Sequence, residues 1–202
     1  MPRLPPVPRS ALGEFEPLFE QIERNLGVLP NSTLTMAHRP EIMRAFALLN
    51  EAATGPGTVD RGLKQLVAAM ASTAAGCRYC QAHSSHVAET RGVDPHKVAA
   101  LYEFETDEKF SEAERAALRV ARGAGRVPNE VTDDEMAALR RHFTDAQCVE
   151  LVAVVAVFGF LNRWNDTMAT QLEQSPLAYA AERLSPGGWS VGKHKGTETA
   201  GG

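Results

Sequence analysis

The sequence has little that would indicate a nucleic-acid-binding, secreted or membrane-spanning protein. It has 21 basic and 25 acidic residues and a formal net charge of −4, so it lacks the positive field that attracts nucleic acid. The longest apolar run, 149–161, is shorter than the roughly 20 residues of a membrane-spanning helix and predicts a buried core helix. The first residues carry prolines where a signal peptide has an apolar run. We therefore expect a cytoplasmic protein that contacts neither nucleic acid nor membrane.

Cysteine is also scarce, with 3 residues in the chain. In a reducing compartment so few cysteines do not form a disulfide framework. A Cys-x-x-Cys pair in such a compartment is more often catalytic or metal-binding. Cys77 and Cys80 form such a pair in the stretch GCRYCQAHSSH. Cys148 stands alone in an apolar segment, which is typical of a core residue.

Alternation of apolar and polar residues, the pattern of a half-buried strand, is absent from the sequence. Apolar residues instead recur at helical spacing, and start and stop signals divide them into about eight helices. Asp60 is expected to cap one helix, and Ser111 with Glu114 has the pattern of a capping box. A long apolar helix is expected from Thr144 to about Glu173. The sequence therefore predicts an all-α fold.

One all-α domain is predicted over residues 1–184. Its division into two related halves, about 1–105 and 106–184, is an alternative, because each half has a helix, a turn and a long helix, although no short motif repeats at fixed spacing. Residues 185–202 form a glycine-rich tail that we expect to be extended, with 196–202 disordered. Trp189 in this tail requires a docking site, which a neighbouring subunit can supply.

Cys77, Cys80, His83 and His86 follow one another at intervals of three residues, and three interpretations of this cluster are open. All four are zinc ligands by type. On one helix, however, Cys77 and His86 lie about 180° apart and cannot share a tetrahedral ion. A second interpretation is a pair of buried, inert cysteines. The third is a redox-active pair.

The redox interpretation has a mechanism that the sequence supports. Gly76 places Cys77 near a helix start, where free N–H groups and the positive end of the dipole favour a thiolate. Cys80 follows one turn later, within reach of a disulfide. His83 lies one turn further, where an imidazole can accept or return a proton. His86 lies about 60° around the helix from His83 and either assists it or occupies an exposed polar face.

The stretch LKQLVAAMASTAAGCRYCQAHSSHVAE resembles the core of the alkylhydroperoxidase AhpD/carboxymuconolactone decarboxylase family. With LGVLPNSTLTMAHRPEIMRAF and LSPGGWSVGKH, the resemblance to its peroxidase-related members covers about residues 12–195. It implies an AhpD-like all-α fold and a homo-oligomer, whether dimer, trimer or hexamer. It also implies reduction of hydroperoxides by the thiol pair, with neither cofactor nor metal.

In the chemistry that the resemblance implies, one thiolate attacks the peroxide oxygen and becomes a sulfenic acid. The second thiol condenses with it to a disulfide, which a dithiol partner of lipoyl or thioredoxin type reduces. The family pattern makes Cys80 the attacking thiol and Cys77 the resolving one. The helix position alone favours Cys77 as the more acidic thiol.

The sequence departs from the family pattern at two positions. Members with peroxidase activity carry a histidine four residues after the second cysteine, where this chain has Ser84, with His83 one residue earlier. They also carry a glutamate where this chain has Gln65, and glutamine orients a histidine or a water but shuttles no proton. Three outcomes are open: His83 and His86 supply the base, the peroxidase is weak, or the substrate differs.

Two other functions are alternatives to the thiol-dependent peroxidase. A lactone decarboxylase of the carboxymuconolactone type does not need a cysteine pair, so the CRYC motif argues against it. A redox-sensing oligomer would respond to oxidant without turnover.

Five consecutive polar or aromatic residues in the long apolar helix are predicted to line the active-site pocket or a subunit contact: Asn162, Arg163, Trp164, Asn165 and Asp166.

Overall fold

The computed structural model describes residues 2–196, and this part of the chain is helical and contains no strand. The all-α prediction is therefore confirmed. The ten α-helices of this range are α1 Glu16–Leu26, α2 Asn31–Met36, α3 Pro40–Thr54, α4 Arg61–Ala74, α5 Arg78–Thr90, α6 Pro95–Ala99, α7 Glu112–Ala124, α8 Asp133–Arg140, α9 Asp145–Met168 and α10 Gln174–Arg183. Short 3-10 turns are Arg9–Ala11, Gly13–Phe15, Leu101–Glu103, Ser185–Gly187 and Gly192–His194.

Side-chain caps start the helices that surround the cysteine motif. The Asp60 side chain accepts a hydrogen bond from the backbone of Leu63 at the start of α4. Reciprocal capping boxes, in which each partner satisfies a free backbone N–H of the other, begin α7, α8 and α9. The expected box of Ser111 and Glu114 is the one at α7. These starts are local in sequence, which is why the sequence predicted them.

The end of the long apolar helix differs from the prediction. Helix α9 stops at Met168 and does not reach Glu173, because Ala169 adopts a left-handed conformation with φ 49°. The amide of Thr170 then bonds to the carbonyl of Asn165 and closes the turn. The chain reverses there and continues into α10, a helix that the sequence did not predict. As a result, Glu173 lies in the α9–α10 connection and is free to approach α5.

The apolar residues of α3 also differ from the prediction. Helical spacing predicts that Ile42, Phe46, Leu48 and Leu49 point inward. Phe46 packs against the core, but Ile42 is 41% exposed, Leu48 is 75% exposed and Leu49 is 55% exposed. The helix buries Met43 and Ala53 instead. The inward face was misassigned because helical spacing identifies apolar positions but does not identify which of them meet a partner.

Helix α4 lies at the centre of the fold and packs against α5, α7 and α9. By length and composition α9 is apolar enough to cross a membrane, with 39% of the relevant window buried. It nevertheless buries Leu151, Val154 and Phe158 in the main hydrophobic cluster, between α3, α4 and α5. One face of α9 is thus packed in the core, while Val149, Val152 and Phe160 are exposed.

The segment after α10 is folded back on the domain in its described part. Trp189 is buried and donates a hydrogen bond from Nε1 to the carbonyl of Arg78, 3.1 Å away. His194 is buried, and its carbonyl accepts from the amide of Leu172 at 2.9 Å. The tail was expected to be extended, whereas residues 185–194 contain two 3-10 turns. Trp189 docks on its own chain. Most of the stretch predicted to be disordered, 197–202, lies outside the described residues.

Candidate functional site

The two cysteines occupy the first turn of α5. Gly76 takes a positive φ of 76° and turns the chain sharply after α4. Cys77 is then the N-cap of α5, and its Sγ accepts a hydrogen bond from the Cys80 amide at 3.4 Å. Both thiols are free. The motif thus lies at a helix N-terminus, as its sequence predicts.

The two thiols point to different surroundings. Cys80 is 1% exposed and borders a cavity of about 130 Å³, whereas Cys77 is not among the residues that line this cavity. The Nδ2 of Asn165 donates a hydrogen bond to Cys80 Sγ at 3.4 Å. Burial and the neighbouring Cys77 raise the pKa of the Cys80 thiol well above its ordinary value, and the Asn165 hydrogen bond partly opposes this. Of the pair, Cys80 is therefore the thiol that can meet a ligand in the cavity.

The cavity has an apolar part formed by α1, α3 and α9, and its lining also includes the charged residues Glu51, Arg61 and Arg91. Its volume of about 130 Å³ is close to that of an engineered apolar cavity, about 150 Å³, that takes up benzene. A ligand of about one aromatic ring, or a branched alkyl group of similar size, fits this space. The principal apolar lining residues are Ile22, Met43, Phe46, Phe158 and Leu161.

A buried carboxylate faces His83 beside the cavity. Glu173 Oε2 lies 2.6 Å from His83 Nε2, and Glu173 Oε1 accepts hydrogen bonds from the Tyr79 hydroxyl, at 2.7 Å, and from the Asn31 amide. Burial acts to raise the pKa of Glu173, but the His83 ring and the donated hydrogen bonds outweigh it, so the net pKa is lowered. Glu173 is consequently a carboxylate at neutral pH and orients the imidazole of His83.

The other residues predicted for the site are placed differently. Gln65 is buried and borders the cavity with Cys80 and His83. The Ser84 hydroxyl donates to the Cys80 carbonyl at 2.6 Å, so it is engaged in helix α5. His86 is not a lining residue of the cavity and packs against Tyr179 with the rings tilted by 43° and their centroids 5.1 Å apart. Burial, followed by the nearby His83, lowers the pKa of His86.

Sequence reasoning missed Glu173 and only partly located the contribution of α9. Glu173 was assigned to the end of a helix, and no sequence signal links it to His83, 90 positions earlier. Of the five-residue polar segment of α9, Asn165 borders the cavity. Trp164 stacks on Phe160 with ring centroids 5.8 Å apart. Asp166 does not line this cavity and lies near Cys77 and His194.

Comparison with known proteins finds similarity over the full fold. The Carboxymuconolactone decarboxylase family matches residues 40–123. The debrominase Bmp8 in its apo form is 38% identical, with 88% of this chain and 96% of that chain covered and a TM-score of 0.83. A Bmp8 variant in complex with 2,3,4-tribromopyrrole is 37% identical, with 89% and 96% covered and a TM-score of 0.84. An AhpD-core, uncharacterized peroxidase-related protein from Ralstonia eutropha JMP134 is 25% identical, with 87% and 94% covered and a TM-score of 0.76.

Proposed function

We propose that this chain, which belongs to the alkylhydroperoxidase AhpD/carboxymuconolactone decarboxylase family, is a thiol-dependent reductase of a small apolar substrate. Cys80 attacks the substrate and Cys77 resolves the product as a disulfide. The observation that carries this proposal is the position of Cys80, which faces a ring-sized cavity while Cys77 lies beside it at the helix N-cap. An attacking sulfur that borders the cavity is thus paired with a resolving sulfur that does not.

An organic hydroperoxide is the first candidate substrate. The Cys80 thiolate attacks the outer peroxide oxygen, the O–O bond breaks, and the departing alkoxide takes up a proton to become an alcohol. Cys80 is then a sulfenic acid, and attack by Cys77 forms the disulfide and releases water. With Nε2 of His83 held by Glu173, its other nitrogen is left to take the proton from Cys80 and return it to the alkoxide.

A halogenated aromatic is the second candidate, favoured by the similarity to the debrominase over 96% of that chain and by the size of the cavity. Here the Cys80 thiolate attacks bromine, the C–Br bond breaks, and the ring carbon takes up a proton. Attack by Cys77 on the sulfenyl bromide forms the disulfide and releases bromide. Both candidates transfer two electrons and end in the same disulfide, which a dithiol of lipoyl or thioredoxin type would reduce.

Thiol counting by mass spectrometry tests the proposal. The reduced protein is treated with one equivalent of cumene hydroperoxide or, separately, of 2,3,4-tribromopyrrole, and then with dithiothreitol. We expect loss of two thiols, a Cys77–Cys80 disulfide and recovery on reduction, with the faster substrate identifying the class. Thiols that stay reduced with both compounds would contradict the reductase function. A disulfide that forms without turnover in the presence of a dithiol would identify a redox sensor instead.

Substitution of His83 tests the proton-transfer role. His83→Ala is expected to slow the attack step by about 10²-fold, the usual scale of general acid–base catalysis. It should also flatten the pH–rate profile, because the imidazole that accepts and returns the proton is removed. Glu173→Gln should give a smaller loss in the same direction, because the imidazole loses its carboxylate partner. His142→Ala, at an exposed histidine, is the control, and an unchanged profile in His83→Ala would remove His83 from the mechanism.

Assembly and compartment belong to the same proposal. The expected homo-oligomer is supported by exposed apolar side chains on two adjacent helices, Leu48 and Leu49 on α3 and Val149 on α9. A second copy of the chain would remove these side chains from water. Light scattering on the purified protein would give a multiple of the 21.9 kDa chain mass. A cytoplasmic location, which keeps both thiols reduced, is proposed with it.

A further inference from the structure

Cys77, Asp166 and His194 form a cluster of side chains that lies outside the lining of the substrate cavity. The sulfur of Cys77, a carboxylate oxygen of Asp166 and a ring nitrogen of His194 all lie within 4.8 Å of one another. They come from the N-cap of α5, the last turn of α9 and the folded-back tail. Cys77 and His194 are each 1% exposed. The substrate chemistry at Cys80 uses neither Asp166 nor His194.

The hydrogen bond to His194 determines which ring nitrogen carries a hydrogen and which carries a lone pair. Nδ1 lies 2.7 Å from the carbonyl of Thr170, which only accepts, so Nδ1 carries a hydrogen and donates it. Nε2 of the neutral ring therefore carries a lone pair. This atom is buried, lies 3.5 Å from Asp166 Oδ1, and has no hydrogen-bond partner among the residues that the structure describes.

Burial and the neighbouring charges have opposite effects on the protonation of His194. Burial lowers the pKa of His194, while the Thr170 carbonyl and the Asp166 carboxylate act in the opposite direction, leaving a neutral ring at neutral pH. Asp166 is also paired with Lys193, at 2.8 Å. The Tyr79 ring, 5.8 Å away between centroids, is the further titratable group beside it. A proton on Nε2 would face the Asp166 carboxylate, and this attraction would stabilise it.

We propose that His194 is the proton acceptor for the resolving thiol Cys77, and that Asp166 stabilises the resulting imidazolium. This inference rests on the proposed function of the cysteine pair. His194 Nε2 takes the thiol proton, and the Cys77 thiolate attacks the sulfur of Cys80 sulfenic acid. The S–S bond forms as the S–O bond breaks, the Cys80 sulfur is reduced and the Cys77 sulfur is oxidised. The hydroxide that leaves is protonated to water, and the imidazolium returns its proton to solvent beside the partly exposed Asp166.

Each of the two cysteines has its own proton acceptor, because the two thiols lie in different surroundings. His83, with Glu173, accepts the proton of Cys80 at the cavity. His194, with Asp166, accepts the proton of Cys77 outside the cavity lining. Two separate bases allow the attacking and resolving thiols to be deprotonated at different steps. The C-terminal tail thereby takes part in the resolving step, because its 3-10 turn Gly192–His194 positions the imidazole of His194 near Cys77.

The test separates the two steps in single-turnover experiments with cumene hydroperoxide. His194→Asn removes the base and keeps a donor that can reach the Thr170 carbonyl. We expect an unchanged rate of oxidation at Cys80, a disulfide-forming step slowed by about 10²-fold, and accumulation of sulfenic acid trapped by dimedone. The pH dependence of the second step should flatten. Lys195→Ala, an exposed neighbour in the tail, is the control and should leave both steps unchanged.

A normal rate of disulfide formation in His194→Asn would overturn the inference. Asp166→Asn provides a second variant if the first does not fold, with a smaller slowing of the same step. Absence of Cys80 oxidation in the unaltered chain would instead reject the proposed function.

Discussion

Cys80→Ser is expected to lower kcat/KM for substrate reduction by at least about 10³-fold, the scale seen when a catalytic nucleophile is removed. The serine hydroxyl occupies the same position at the cavity but does not ionise at neutral pH and is a poor nucleophile toward peroxide oxygen or bromine. Binding of the substrate should be retained, because the apolar walls of the cavity are unchanged. Steady-state reduction with dithiothreitol as donor measures the loss.

Cys77→Ser should have a different outcome, and the contrast assigns the two thiols. It should consume one equivalent of hydroperoxide rapidly and then stop, with a sulfenic acid left on Cys80, since the attacking sulfur is intact and the resolving one is missing. Cys148→Ser, at a core cysteine of α9, is the matched control and should turn over normally. Rapid single turnover in Cys80→Ser but not in Cys77→Ser would make Cys77 the attacking thiol, as the helix position alone suggested.

Lys64→Met is expected to lower the free energy of unfolding by about 3 kcal/mol, in the range found when one partner of a buried ion pair is removed. Lys64 is 0% exposed, and its ammonium lies 2.7 Å from Glu150 Oε2 and 3.1 Å from the Gly55 carbonyl. Glu150 also accepts from the amide and the hydroxyl of Thr58, so the pair joins α4, α9 and the α3–α4 loop. Methionine fills a similar volume but leaves the carboxylate without its cation.

Urea unfolding measures this loss, with Lys109→Met as the control. Lys109 pairs with Asp94 at a similar distance of 2.7 Å, but both side chains are largely exposed, so we expect a change below about 1 kcal/mol. Lys64→Met combined with Glu150→Gln should recover part of the lost stability, because the unpaired charge is removed. Equal effects of the two single substitutions would show that burial of the Lys64 pair contributes nothing extra.

The contribution of the Lys64–Glu150 pair to the free energy of unfolding should also depend on pH. The Lys64 ammonium and the Thr58 hydrogen bonds lower the pKa of Glu150 from 4.5 to about 2. A carboxyl group whose pKa is lower in the folded state stabilises the fold above its unfolded pKa. This contribution is lost as the pH falls from about 4.5 toward 2. The stability difference between the unaltered chain and Lys64→Met should therefore narrow over that range, and a constant difference would contradict this origin.

The sequence determined the features that depend on neighbouring residues. Helix starts at Asp60 and Ser111 were predictable because a capping side chain bonds to an amide three positions away. The placement of Cys77 and Cys80 in the first turn of a helix followed from Gly76 and from the helical spacing after it. Gln65 was predicted to belong to the site from the family resemblance alone. The cysteine motif also carried the family resemblance that the comparisons confirm.

Only the tertiary structure decided which thiol meets the cavity and which groups serve each thiol. Cys77 and Cys80 differ by one helical turn, and their separate environments depend on contacts with α9 and the tail. Asn165 of α9 donates to Cys80, whereas Asp166 of α9 and His194 of the tail lie near Cys77. Glu173 reaches His83 because Ala169 ends α9 early, and a single left-handed residue leaves no periodic signal in the sequence. His194 reaches Cys77 because the tail folds back across more than a hundred residues, and such long-range contacts have no fixed spacing from which they could be read.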